Sequence, residues 1–175
     1  MKIIADLYDI WDRKGKDIIL LDNNILAEPD HFIKICKQAQ KEKLRLDFNQ
    51  GLDIRLLTEE LAQEIKKTKF IDVRFAFDNP SMKSIIMQKI EILKKYKIRG
   101  NFYCLVGYDS DFNEELERIN YLLSEKQRVY VMRHEKVRGD KKYNALATWC
   151  NSPLFGRGTM PFDDFLKTER GKHGF

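Results

Sequence analysis

LRLDFNQGLDIRLLTEELAQEIKKTKFIDVRFAFD, residues 44–78, decides how this chain is read. Its first run, 44–49, alternates Leu44, Leu46 and Phe48 with Arg45, Asp47 and Asn49, the period of a strand with one buried face. Thr58 then precedes Glu59 and Glu60, while Leu61, Ala62 and Ile65 form an apolar stripe. That is a capped amphipathic helix over about 58–69. A second alternating run, 70–77, follows. Strand, helix and strand in this order make a βαβ unit, whose crossover helix permits parallel pairing.

The pattern extends in both directions. Helices are predicted over about 2–14, 28–43, 58–69, 81–97 and 112–125, and strands over about 17–22, 44–49, 70–77, 101–107 and 128–133. Strand starts recur roughly every 27–30 residues, the length of one βα unit. The strands near 19 and 104 are almost continuously apolar, as parallel strands buried on both faces are; the other three alternate, which fits a barrel with a partly polar inner face. Asp111 with Glu114 forms a capping box, Ser81 is read as a helix cap, and Pro29 sits where a first helical turn tolerates it. Phe75, Phe77 and Tyr103 are placed toward the barrel interior, and Trp149 over its bottom. Residues 136–175 read as an extension packing on the same domain as 1–135.

Composition sets the bounds. The chain has 175 residues, 43% hydrophobic and 34% charged, enough for one domain without disulfide staples. No apolar run reaches the roughly 20 residues of a membrane span, and the first residues lack the apolar core of a secretory signal. Cys36, Cys104 and Cys150 are odd in number and far apart, which suits reduced thiols and a cytoplasmic location. Cys36 and Cys104 fall on apolar faces and read as core. The net charge is 32 − 27 = +5. Lysines and arginines gather at helix ends (Lys41 and Lys43; Lys66, Lys67 and Lys69; Lys94, Lys95, Lys97 and Arg99), where they complement the helix dipole. Most of the positive charge is thereby explained, and a nucleic-acid surface is the second reading.

Parallel α/β proteins bind ligands beyond the carboxyl ends of their strands. Those ends are polar at each of the five strands: Asp22-Asn23-Asn24, Asn49-Gln50 with Asp53 and Arg55 beyond, Asp78-Asn79, Gly107-Tyr108, and Arg133-His134. They are expected to share one rim. The local alternatives are helix caps at Asp22 or Asn24, an ion pair between Asp53 and Arg55, a turn at Asp78, and a surface position for His134. One carboxylate with two amides is too little for a Mg²⁺ site, so no metal site is assigned.

Three runs, ILLDNNILAEPDHF (19–32), LRLDFNQGLDIRLLTEELAQEI (44–65) and VRFAFDNPSMKSIIMQKIEILKKYKIRGNFYCLVGYDSDFNEELERINYLL (73–123), resemble the middle and end of the radical S-adenosylmethionine superfamily. The resemblance spans roughly residues 1–135 and implies an α/β fold of repeated βα units. Its form would be a partial TIM-like barrel of about five or six parallel strands with the first strand missing. It also implies S-adenosylmethionine and a [4Fe–4S] cluster as cofactors of the intact family. Asp22, Asn23 and Asn24 match the position of the family's amino-group motif, without its Gly-Gly-Glu form. Asn49, Gln50, Asp78 and Gly107 match positions that contact cofactor or substrate. Asp53, Arg55, Tyr108, Arg133 and His134 then form the substrate rim.

The family's Cys-x-x-x-Cys-x-x-Cys loop is absent, so no cluster is expected in this chain and no radical chemistry from it alone. Either the chain continues a longer protein or the activity is lost. The strand at 17–22 would keep an open edge, and a second copy or a missing N-terminal segment is expected to cover it. The alternatives from other classes are a non-catalytic α/β module binding a nucleotide or RNA through its basic surface, and a different βα-barrel enzyme using Asp78 or Asp22 as base.

Overall fold

The computed structural model of the chain describes residues 5–21, 24–152 and 160–173. In order these form α1 (Leu7–Ile10), β1 (Asp17–Leu20), α2 (Pro29–Glu42), β2 (Arg45–Phe48), α3 (Glu59–Lys67), β3 (Lys69–Asp72), β4 (Arg74–Ala76), α4 (Lys83–Lys95), β5 (Asn101–Val106), α5 (Phe112–Ser124), β6 (Arg128–Arg133), α6 (Lys141–Asn151), α7 (Phe162–Leu166) and α8 (Glu169–His173). Thr58 caps α3 by accepting from the Leu61 N–H, and Asp111 with Glu114 closes a capping box on α5. Helix α4 departs from the expectation. Asn79, not Ser81, takes the cap, and it starts a one-turn 3-10 helix, Pro80–Met82, that runs into α4.

Of the helix expected over 2–14, residues 2–4 lie outside the described residues, and the described remainder is helical only over α1. The Asp12 carboxylate accepts from the Lys14 and Gly15 N–H groups, and Arg13 adopts φ 65°, so the chain turns where the helix would continue. Helices α2, α4 and α5 end alike. Lys43, Lys97 and Lys126 take the left-handed conformation, and the next residue's N–H reaches back to Ala39, Leu93 and Leu122 respectively. This is the Schellman ending, built on lysine where glycine is usual.

The sheet is where the sequence reading needs correction. The chain is α/β with parallel pairing, but the partial barrel of five or six strands is not formed. The described residues form two three-stranded sheets, ordered β1-β2-β3 and β4-β5-β6. The strand expected over 70–77 breaks at Val73. The Asp72 carboxylate accepts the Val73 N–H at 3.0 Å, in place of a carbonyl from a neighbouring strand. The β2–β3 register also shifts between Leu46 and Asp47, which brings Asp47 opposite Asp72. Two compact units result: residues 1–76 with 85–100, and residues 77–84 with 101–175.

In the first unit, Leu20, Leu46 and Phe48 of the sheet face Phe32, Ile35, Cys36 and Ala39 of α2 and Leu61, Ala62 and Ile65 of α3, all buried. Phe48 touches Phe32 and Phe70 at ring distances of 5.7 and 5.9 Å. Each such side chain contributes about 1.5–3 kcal/mol on burial. The opposite parity of the sheet carries Asp17, Ile19, Arg45 and Lys69, which are exposed, Ile19 at 63%. β1 is an edge strand.

In the second unit, Phe102, Cys104, Val106, Val129 and Val131 lie buried on the side packed by α5 and α6. Trp149 of α6 is buried against Phe162 of α7 and donates its indole N–H to the Met160 carbonyl, so it anchors the terminal helices and covers no barrel. Phe75 and Phe77 are buried, while Tyr103 stands on the other parity of β5. No helix among the described residues is long and apolar enough to cross a membrane.

Candidate functional site

Each unit carries part of the expected rim. In the first, the Asn49 N–H extends the β1–β2 ladder by donating to the Leu20 carbonyl, and the chain turns at Gly51 with φ 83°. The Asn49 and Gln50 side chains are exposed at this tip. Asp53 caps a one-turn helix, Ile54–Leu56, and pairs with Arg55 through bonds of 2.6 and 2.9 Å. The Arg55 guanidinium holds the Asp53 carboxyl below its ordinary range. The local ion pair foreseen as the alternative is what forms. Asn24 stands at the start of the turn Ile25–Ala27, its carbonyl accepting from the Ala27 N–H. Asp22 and Asn23 lie outside the described residues.

Sequence reasoning missed the charged group nearby. The Arg74 guanidinium bonds the Asp47 carboxylate and lies 3.7 Å from that of Asp72. All three are mostly buried, and two carboxylates against one guanidinium leave a formal charge of −1. The signal was available. Asp47 shares its strand parity with Arg45, away from Leu46 and Phe48.

In the second unit the predicted residues are tied into the framework. Asp78 accepts the Leu105 N–H at 2.8 Å. The Gly107 N–H donates to Glu115 at 2.6 Å, and the Ser110 hydroxyl reaches the same carboxylate oxygen at 3.1 Å. The Arg118 guanidinium donates to the Phe77 and Leu105 carbonyls at 2.7 and 2.8 Å. Tyr108 packs on His134 with ring centroids 4.8 Å apart, and the Lys136 ammonium lies 4.7 Å over the Tyr108 ring. His134 caps a short turn by accepting the Lys136 N–H at Nδ1. Arg133 bonds the Asn144 side chain.

Glu115 and Arg118 were also missed. Both are buried, and with Ile119 and Leu122 they occupy the i, i+3, i+4, i+7 positions of the core stripe. Charged residues on that stripe are the sequence signal of a buried polar clamp. Burial first, and the Glu115 carboxylate second, push the Tyr143 phenol up to about 12.

A [4Fe–4S] cluster does not fit this chain. Its ligands must be thiolates. All three cysteines are buried, each on a different element, and burial pushes the Cys36 and Cys104 thiols up to about 12 and raises Cys150 as well. Among the described residues no group of three or more His, Cys, Asp or Glu side chains is placed to hold a metal ion. Comparison of the chain with protein-family models, with curated proteins and with solved structures finds no match in any of the three.

Proposed function

We propose that this chain is an S-adenosylmethionine-binding α/β protein related to the radical S-adenosylmethionine enzymes, and that it contributes a ligand face without the cluster that radical chemistry requires. The observation that carries the reading is the exposed outer part of the first sheet's second face, at Asp17, Ile19 and Arg45. Parallel sheets are almost always covered on both faces. Here α2 and α3 pack on one face, while the other presents the exposed Asp17–Arg45 pair and exposed Ile19, with the Asp47–Arg74 pair mostly buried beside them. A face of mixed charge and apolar surface suits a zwitterionic ligand with a flat aromatic base. The exposed amides of Asn49 and Gln50 sit at its carboxyl-end tip, and the three quoted sequence runs supply the family resemblance.

This chain's own residues bind and orient; they do not reduce or cleave the ligand. Calorimetry on the full chain tests the reading. S-Adenosylmethionine is expected to bind near ~0.1 mM, about 5.5 kcal/mol. Its affinity should change less than ~2-fold between about 50 and 200 mM salt, since no phosphate charge is neutralised. Asn49→Ala with Gln50→Ala should weaken it at least ~3-fold. Absence of binding, or binding indifferent to the double substitution, refutes the proposal.

A further inference from the structure

The face of β5 and β6 turned away from α5 and α6 has an unusual composition. In register across the two strands stand Asn101 with Arg128, Tyr103 with Tyr130, and Leu105 with Met132. The two tyrosine rings lie side by side, centroids 5.2 Å apart at 48°. Tyr130 is 44% exposed and Met132 36%. Cross-strand aromatic pairs stabilise sheets by themselves. What that role does not explain is the exposure of Tyr130 and Met132, beside half-buried Asn101, Tyr103, Leu105 and Arg128.

Two observations say what suits this surface. The first is the edge of β6. The Asn151 side chain accepts the Val131 N–H at 2.8 Å and donates to the Val131 carbonyl at 2.9 Å. An amide side chain thus occupies the edge where another protein strand would pair, which disfavours strand addition. The second is charge. The segment following the aromatic rows, residues 133–142, holds five cations, Arg133, Lys136, Arg138, Lys141 and Lys142, against two carboxylates, Glu135 and Asp140. The four at 136–142 are exposed, and no ion pair is formed by any of the five with a described residue. Three of the helix-end lysines do pair: Lys67, Lys94 and Lys95 with Glu64, Glu91 and Glu59.

We propose that the Tyr103–Tyr130 face of β5 and β6, with the basic segment 133–142 at its end, is a binding platform for single-stranded nucleic acid. Bases stack on the tyrosine rings and Met132, and phosphates follow the cations of 133–142. Aromatic sheet faces flanked by cations bind unpaired strands in this way, because every base offers a flat face and every linkage a charge. An acidic peptide would use the cations and leave the rings idle. The platform stands independently of S-adenosylmethionine binding, since it uses none of the first-sheet residues.

The test is fluorescence anisotropy of the full chain with a labelled oligouridylate of ~10 nucleotides. Tyr130→Ala, at a half-exposed position that keeps the fold by circular dichroism, should weaken binding roughly 5- to 50-fold. Tyr130→Phe keeps the ring and should stay within ~2-fold of the parent. Lys136→Glu with Lys141→Glu should lower the slope of log affinity against log salt by about 1.5. No binding at about 50 mM salt overturns the proposal. So does binding that ignores Tyr130→Ala, or competition by polyglutamate as strong as by unlabelled oligonucleotide, which would mark a general anion surface.

Discussion

Replacing Gly107 by alanine separates a structural glycine from a ligand-contacting one. Gly107 ends β5 with φ 78°, and its N–H donates to buried Glu115 at 2.6 Å. A β-carbon there would lie 2.9 Å from the Val137 β-carbon and closer still to both Val137 γ-carbons. Rotating the valine cannot clear the contact, because its own β-carbon is involved. The left-handed conformation costs an L-residue about 1–2 kcal/mol. Forcing a methyl into a filled space costs about 1–3 kcal/mol more. The sum is about 2–5 kcal/mol, a fall in melting temperature of roughly 5–15 °C for a chain of this length.

Urea unfolding followed by circular dichroism and by the fluorescence of buried Trp149, which lies in the same unit, measures the loss. Val137→Ala removes both γ-carbons. The double variant should therefore lose about 1–2 kcal/mol less than the sum of the single variants. If Gly107→Ala unfolds within about 0.5 kcal/mol of the parent, or if the two substitutions simply add, the steric reasoning is wrong and a ligand role for Gly107 gains ground.

Two further outcomes are expected. Lys97→Gly relieves a left-handed lysine costing about 1–2 kcal/mol and adds about 0.5–1 kcal/mol of unfolded-chain entropy, so the protein should gain roughly 0.5–1 kcal/mol by chemical denaturation, while Lys97→Ala should change little. The Asp6 carboxyl is held at about 2, first by Lys34 at 2.8 Å and then by Gln38. Its folded value lies below the unfolded one of about 3.9, so its contribution to α1 docking is full above that value and is lost as pH falls through about 2. Carboxyl-carbon NMR titration of Lys34→Met should show the Asp6 midpoint moving up toward the ordinary aspartate range, and an unmoved midpoint would count against the assigned cause.

Much of the local architecture was legible along the chain. The stripe at Leu61, Ala62 and Ile65, the Thr58 cap and the Asp111–Glu114 box all rest on contacts within a few residues, and each formed as read. The break at Val73 was not legible. Its alternating pattern runs unbroken through 70–77, while in the structure the Asp72 side chain takes the Val73 N–H and the β2–β3 register shifts at Leu46–Asp47. The expected rim was readable as a set of polar strand ends, but not the uses those groups have. Asp78 and Gly107 are engaged by Leu105 and Glu115, partners that strand-end polarity does not reveal.

From the residues alone came the βα alternation, the Thr58 and Asp111 caps and the placement of Cys36 and Cys104 on apolar faces. Each depends on spacing within one element or on the type of residue present. The tertiary structure decided the split into two sheets, the clamp made by Glu115 and Arg118, and the meeting of Tyr103 with Tyr130 across β5 and β6. These depend on strand register and on which distant donor satisfies which acceptor. A one-residue change in register turns every side chain of a strand to the other face, and only the packed chain selects between the two.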